Sequence, residues 1–458
     1  MIACLKHRLN MKHQTKIILG GFMGNVVEAY DISICYFLSA ELSRVLIGDN
    51  QANPTVILSL IFLAYLAKPV GAFILGLLSD LYGRKNMLMC SILIMGLSTV
   101  LIGLIPKYQQ IGFFSAGLLL TFRIIQSMAL GSEFLNSASF LVESGSNERR
   151  GFRGCWPSVG VKAGYLLAST VVEMTHALGN TYLFTQDWLW RIPFLLAIFT
   201  TLVGSYIRYR MPESLAYIMY YAERVKPTTR AIYSQSLDFV KRNPFMFNYA
   251  FFASFLSVAT GFFFYLYIPL HAAQYSHVSR TFIVMSTMSS LTFVTILIPL
   301  FGWFSDKQDR LKMLAWATTG FLVLSYPFMY AVNYGHPNSF LLMQMLISVP
   351  CACYYSVSSV LLTELFPLQI RCTALSIVFS VAASLASGLP PLISDYLARK
   401  THLPSSPCLI MIGLACIVLI NVSILAKRYR LQKNQYDIVS LHEEEPQFAI
   451  HYQKPFTS

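Results

Sequence analysis

About twelve stretches of mostly apolar residues run through this chain, each near the ~20 residues that a helix needs to cross the hydrocarbon core of a bilayer. That core holds no water to satisfy backbone amides, so a chain built this way must fold as a bundle of helices. With loose boundaries the spans are 17–40, 54–78, 86–106, 113–142, 154–178 and 192–207, then 245–270, 281–304, 313–333, 339–362, 372–396 and 407–426. A polar segment, 208–244, separates the two sets of six. The organisation expected is an N-terminal segment (1–16), a six-helix half (17–207), a linker (208–244), a second half (245–426) and a polar tail (427–458). Composition agrees: 55% of residues are hydrophobic and only 12% charged, where a soluble domain carries about 25% charged residues.

Net charge is +13, but the basic residues sit in short clusters between apolar runs, which is the pattern of one membrane face and not of a nucleic-acid surface. Placing the N-terminus inside puts 25 of the 34 Lys and Arg residues in inside loops or termini and 6 in outside loops. Both termini are therefore expected in the cytoplasm. The basic segment up to Lys16 runs straight into span one with no small-residue cleavage site, so a retained first helix is expected and not a removed signal. The nine cysteines are scattered without a CxxC pair or a neighbouring histidine at metal spacing, so neither a disulfide framework nor a metal is expected.

An internal duplication links the halves. Gly76, Ser79, Asp80 and Arg84 after span two recur as Gly302, Ser305, Asp306 and Arg310 after span eight, at one offset of 226 residues. Glu143 and Arg150 after span four recur as Glu364 and Arg371 after span ten, at an offset of 221. The loop containing Gly76, Asp80, Gly83, Arg84 and Lys85 has to reverse the chain between two membrane helices, which favours its glycines. It also sets a carboxylate beside cations at the membrane surface. Such charges can pair with facing helix ends in one conformation and part in another, so all of these residues are gating candidates. A plain topology-setting loop is the competing reading, and the recurrence counts against it.

Ionisable side chains inside membrane helices are costly unless paired or hydrated, so they are functional candidates by default. Span one stacks Asn25, Glu28 and Asp31 on one face at i, i+3 steps; span four does so with Arg123, Gln126, Glu133 and Ser137; span five with Ser158, Lys162, Tyr165, Ser169 and Glu173. Three polar stripes from one half are expected to meet at a hydrated cavity. The alternative is internal pairing that only holds the bundle, Glu133 with Arg123 for example. Lys68 ranks lower because a lysine can snorkel to the interface. No charge lies within the interiors of the second-half spans. Tyr265, Tyr267, Gln344 and Tyr355 are the residues there that suit a solute contact, against a background expectation that membrane aromatics face lipid. The segment 211–230 mixes aromatics with charges as an amphipathic surface helix would.

The loop Gly76-Leu-Leu-Ser-Asp80-Leu-Tyr-Gly83-Arg84-Lys85 resembles the signature Gly-x-x-x-Asp-x-x-Gly-Arg-Lys of the major facilitator superfamily. More narrowly, Gly24-Asn25, Glu28, Tyr30-Asp31, Arg123 with Gln126, Gly131 with Glu133, Arg150-Gly151, Trp188 to Pro193, Arg210 to Glu213 and Glu364 to Pro367 are similar to the metabolite:proton symporters, which carry ketoglutarate, citrate, shikimate, proline or betaine. The resemblance covers residues 17–426, with departures at Ala29, Ile32, Lys68, Ser132, Ser158, Lys162 and Asp309. It implies an all-α polytopic protein of twelve transmembrane helices in two pseudo-symmetric six-helix halves, working by alternating access in a bacterial inner membrane.

The function expected is proton-coupled uptake of a small carboxylate-bearing metabolite. Arg123 and Lys162 would hold the carboxylate, Gln126, Tyr165, Tyr265, Tyr267, Gln344 and Tyr355 would complete the site, and Glu28, Asp31 and Glu133 are candidates for the proton. A proline/betaine-type compatible-solute symporter, a proton-coupled exporter and a receptor that moves nothing are the alternatives. The partners expected are the solute, protons and the bilayer, with no nucleic acid and no cofactor, in a monomer. No phosphate-binding glycine loop, HExxH or Ser-His-Asp set supports an enzyme.

Overall fold

In the computed structural model the described residues are 11–48, 54–82, 84–131, 133–143, 149–181, 186–210, 241–366 and 371–439, and all regular structure among them is helical. Twelve long helices follow one another: α1 (Met11–Phe37), α2 in two pieces (Pro54–Tyr65 and Lys68–Tyr82), α3 (Arg84–Gly103), α4 in two pieces (Phe114–Ala129 and Glu133–Glu143), α5 (Trp156–Thr181) and α6 (Arg191–Tyr209). The second half holds α7 (Pro244–Tyr275), α8 (Arg280–Ser305), α9 (Arg310–Tyr334), α10 (Pro337–Leu365), α11 (Arg371–Thr401) and α12 (Cys408–Val439). Nine of these meet a span criterion on length and hydropathy alone. Two of the others, α1 and α5, carry polar stripes.

The packing repeats as the sequence does. In the first half α1 lies along α5 and α3 along α6; in the second, α7 lies along α11 and α9 along α12. Across the seam α2 meets α11 and α5 meets α8. Adding six to each helix number turns one set of contacts into the other, so the fold is that of twelve helices in two pseudo-symmetric halves. Side chains such as Leu97, Phe199, Leu202, Ile296 and Val323 are exposed around the outside, as a lipid-facing surface requires.

Three sequence expectations need correction. Gly76 is not a turn residue: α2 continues helically to Tyr82 and α3 begins at Arg84, while Gly83 lies outside the described residues. Arg208, read as the first linker residue, is the penultimate residue of α6. The background expectation that membrane aromatics face lipid fails in α7: Phe262, Phe263 and Phe264 are buried, as are the solute candidates Tyr265 and Tyr267, and residues Phe263–Tyr267 form one π turn inside this helix. A π turn widens the helix locally and rotates the residues beyond it, a feature common at functional sites. Ser132 and the surface helix expected over 211–230 lie outside the described residues, as do the side chains of Asp80 and Arg84.

The tight α1–α5 contact depends on Gly160 and Gly164, four residues apart on α5 in the small-xxx-small arrangement of close membrane helices. A Cβ at Gly164 would lie 2.5 Å from the Val26 carbonyl oxygen and 2.7 Å from the Ala29 Cβ. Gly164→Val should therefore overpack the seam between these helices by about 1–3 kcal/mol. The check is the melting temperature of the detergent-solubilised protein, which falls in this variant; an unchanged value means that the helices are not in this contact.

Candidate functional site

The three polar residues of α1 share a face but point to three different partners. Asn25 donates to the Gly21 carbonyl (2.7 Å) and to Ser137 Oγ (3.1 Å), stitching α1 to α4. Glu28 has an oxygen 3.9 Å from Lys68 Nζ, while its other oxygen has no hydrogen-bond partner among the described residues. Asp31, only 1% exposed, has no hydrogen-bond partner within 3.5 Å of either oxygen among the described residues, although Arg123, Gln126 and Thr99 stand around it.

That last group forms a compact polar cluster inside the first half. Arg123 donates to Gln126 Oε1 (2.6 Å) and to the Asp31 backbone carbonyl (3.4 Å), and Gln126 donates to Thr99 Oγ1 (2.7 Å). Arg123 and Gln126 therefore serve Asp31 and line no part of the central cavity, where the sequence pattern places them with the solute.

Glu133 does not pair with Arg123. Its carboxylate binds the Arg208 guanidinium at both nitrogen ends, at 3.0 Å for Nη1 to Oε2, and accepts from Ser91 Oγ at 2.6 Å. Arg208 also donates to the Leu88 carbonyl, so this buried pair ties α6, α4 and α3 together. Gly24 makes room for it, because a methyl group there would overlap the guanidinium. Nothing in the sequence separates Arg208 from the arginines that end membrane helices by the positive-inside rule.

A cavity of about 70 Å³ lies between the halves. Glu28, Tyr65, Lys68, Lys162 and Tyr165 face it from the first half, and Gly261, Phe262, Tyr355 and Phe379 from the second. Of the residues expected to touch solute, Lys162, Tyr165 and Tyr355 line it, joined by Glu28 and by the lower-ranked Lys68. Lys162 is buried, with its Nζ 5.0 Å from the ring centres of Tyr165 and Tyr265 and 3.9 Å from that of Tyr355. No carboxylate among the described residues pairs with it. Tyr265 reaches the lysine with its ring while its hydroxyl pairs with Ser348 (3.0 Å). Tyr267 and Gln344 are directed elsewhere: Tyr267 bonds His271 (3.2 Å), and Gln344 bonds Ser286 and Thr287 within the second half.

At the end of the bundle that carries the repeated loops, charges cross the seam. Arg371 donates to Glu143 (2.6 Å), Arg150 lies 3.8 Å from Glu364, and Asp306 accepts the backbone N–H groups of Gly151 (2.6 Å) and Phe152 (2.9 Å). Arg310 holds Glu364 (2.6 Å) and Asp306 (3.2 Å) in position for this. Toward the opposite end, Arg280 meets His176 Nε2 (3.4 Å) and Tyr36 donates to the Ser387 carbonyl (3.2 Å) across the seam.

A two-half helical bundle enclosing a charged central cavity, with ion pairs across one end of the seam, is the architecture of a secondary transporter. The chain matches the family described as "Sugar (and other) transporter" over residues 19–242 and "Major Facilitator Superfamily" over 250–445. It belongs to the major facilitator superfamily. The ectoine/proline transporter of Corynebacterium glutamicum is 29% identical over 415 residues, covering 87% of this chain and 81% of that one. The proline/betaine transporter of Escherichia coli K12 is 27% identical over 414 residues, covering 88% and 82%. A proton:xylose symporter structure superposes with a TM-score of 0.71 at 17% identity, over 91% of this chain and 96% of that one. The Escherichia coli fucose:proton symporter gives 0.62 at 14%, over 90% and 98%. At such identities the two structures bear on the fold alone.

Removing one partner of a buried ion pair leaves the other uncompensated, which costs about 3–5 kcal/mol. Arg208→Met should therefore melt far below wild type, and Glu133→Gln/Arg208→Met should recover much of the loss. If the double variant is no more stable than Arg208→Met, the pair is not what holds these helices.

Proposed function

We propose that this protein is a proton-coupled importer of a small zwitterionic solute bearing a carboxylate, in a bacterial inner membrane with both termini in the cytoplasm. The observation that carries the reading is Lys162: a cation in the cavity wall with no carboxylate among the described residues to neutralise it. Burying such a charge is costly, and a substrate carboxylate is the group that would meet it. Glu28, with one oxygen free of hydrogen bonds, is suited to the solute's cationic end. The relatives' names, ectoine, proline and betaine transporters, support the compatible-solute alternative over the general metabolite reading preferred from sequence.

In this reading the two halves rock about the cavity, which first opens at one end of the seam and then at the other. The end closed by Glu143, Arg150, Asp306, Arg310, Glu364 and Arg371 is the cytoplasmic gate, and the α2–α3 junction, with Gly76, Asp80, Gly83, Arg84 and Lys85, is the repeat-related counterpart of its α8–α9 segment. Asp31 takes the proton: it is buried beside Arg123, apart from the cavity lining, with no hydrogen bond to its carboxyl oxygens among the described residues. Glu133 is a poorer carrier, since Arg208 and Ser91 hold its carboxylate. A strictly anionic substrate is the second reading, favoured by the excess of one cation in the wall.

Two outcomes test these assignments. A panel of betaines, proline-like zwitterions and plain mono- and dicarboxylates, titrated into purified protein, should bind wild type at least about tenfold more tightly than Lys162→Gln, as expected for a charge-assisted contact. Equal affinities remove Lys162 from the site, and binding of plain carboxylates alone selects the anionic reading. In proteoliposomes Asp31→Asn should retain exchange of labelled for unlabelled solute but no longer concentrate it when a proton gradient is applied. Accumulation at the wild-type level would mean that the proton travels elsewhere.

A further inference from the structure

The three rings around Lys162 form an arrangement that a lysine does not require for itself. An ammonium is attracted to the face of an aromatic ring by the ring's quadrupole when it lies within ~6 Å of the centre, and removing water from the contact strengthens it. Here three faces converge on one point from both halves, Tyr165 on α5, Tyr265 in the π turn of α7 and Tyr355 on α10, all of them buried. Two rings are held independently of the lysine: Tyr265 through Ser348 (3.0 Å) and Tyr355 through Thr260 Oγ1 (3.1 Å). Gly261 leaves the floor open, since a Cβ there would stand 3.0 Å from Lys162 Nζ.

We propose that Tyr165, Tyr265 and Tyr355 form an onium-binding subsite of the solute cavity, and that Lys162 determines specificity by filling it with its own tethered ammonium. In wild type the subsite is thereby closed to a free quaternary ammonium and offers the solute a cation instead of a cation trap, so the carboxylate end enters there. Shortening the side chain at 162 empties the cage without disturbing the rings and reverses the preference of this corner of the cavity. The inference rests on the reading above only in taking this cavity as the solute site.

The probe is tetramethylammonium chloride, with sodium chloride as the ionic control, titrated calorimetrically into the full chain in lipid nanodiscs. Lys162→Ala should bind tetramethylammonium at least about tenfold more tightly than wild type, the size of a desolvated cation–π contact. Adding Tyr355→Leu should abolish that gain, and adding Tyr355→Phe should keep it. No gain in Lys162→Ala, or a gain that survives Tyr355→Leu, overturns the proposal. Should Lys162→Ala not fold, the wild-type background reads the same cage: Tyr355→Leu should lower the melting temperature clearly more than Tyr355→Phe, and equal losses overturn it. Because tetramethylammonium has no carboxylate, failure here leaves the dependence of carboxylate binding on Lys162 to stand or fall separately.

Discussion

A charge in hydrocarbon persists only where the bundle supplies its partner, and this requirement organises the molecule. Apart from Arg153 just before α5 and Arg191 at the start of α6, the buried charges among the described residues of the first half are three acids, Glu28, Asp31 and Glu133, and four bases, Lys68, Arg123, Lys162 and Arg208. They sort into Glu28 beside Lys68, Asp31 beside Arg123 and Glu133 bound to Arg208, with Lys162 left over. The pairs do different work. The Arg208 pair, bonded at both carboxylate oxygens, is structural, the Arg123 group leaves the Asp31 carboxyl without a hydrogen bond among the described residues, and the Lys68 pair, at 3.9 Å, is loose enough to exchange partners at the cavity wall. The leftover cation stands where the halves meet.

Much of this was legible in the sequence. Apolar stretches gave the twelve helices, the offset of 226 residues gave the two halves, and helical spacing gave the polar stripes of α1, α4 and α5. The stripes proved less unified than their spacing suggests. Residues one turn apart on α1 face the same way, yet α4, the cavity and the Arg123 cluster are stacked along that face, so each residue meets a different neighbour. Which acid pairs with which base is a tertiary fact, and helical periodicity has no access to it.

Other features lay beyond sequence for identifiable reasons. Arg208 closes an apolar run as any topology-setting arginine does, and only the missing Cβ of Gly24, far away in the chain, makes space for it. The π turn has no sequence signature, yet its local widening sets the direction of Tyr265 and Tyr267, which lie in one turn and face Lys162 and His271 respectively. Gln344 sits at the right spacing on α10, but nearby hydroxyls on α8 satisfy it first.

The ammonium of Lys162, which no carboxylate pairs with among the described residues, has an electrical consequence. A site that opens to alternate sides of a membrane carries its fixed charge through part of the transmembrane field, where each elementary charge is worth about 2.3 kcal/mol per 100 mV. A zwitterion adds no net charge to that site, so the voltage acts on the solute-loaded and empty carrier alike. On the reading proposed, the transported proton is then the whole electrical difference between the inward and the return stroke. An inside-negative potential would drive accumulation through the proton alone, whereas an anionic solute would cancel the proton's charge and leave only the pH gradient to pull.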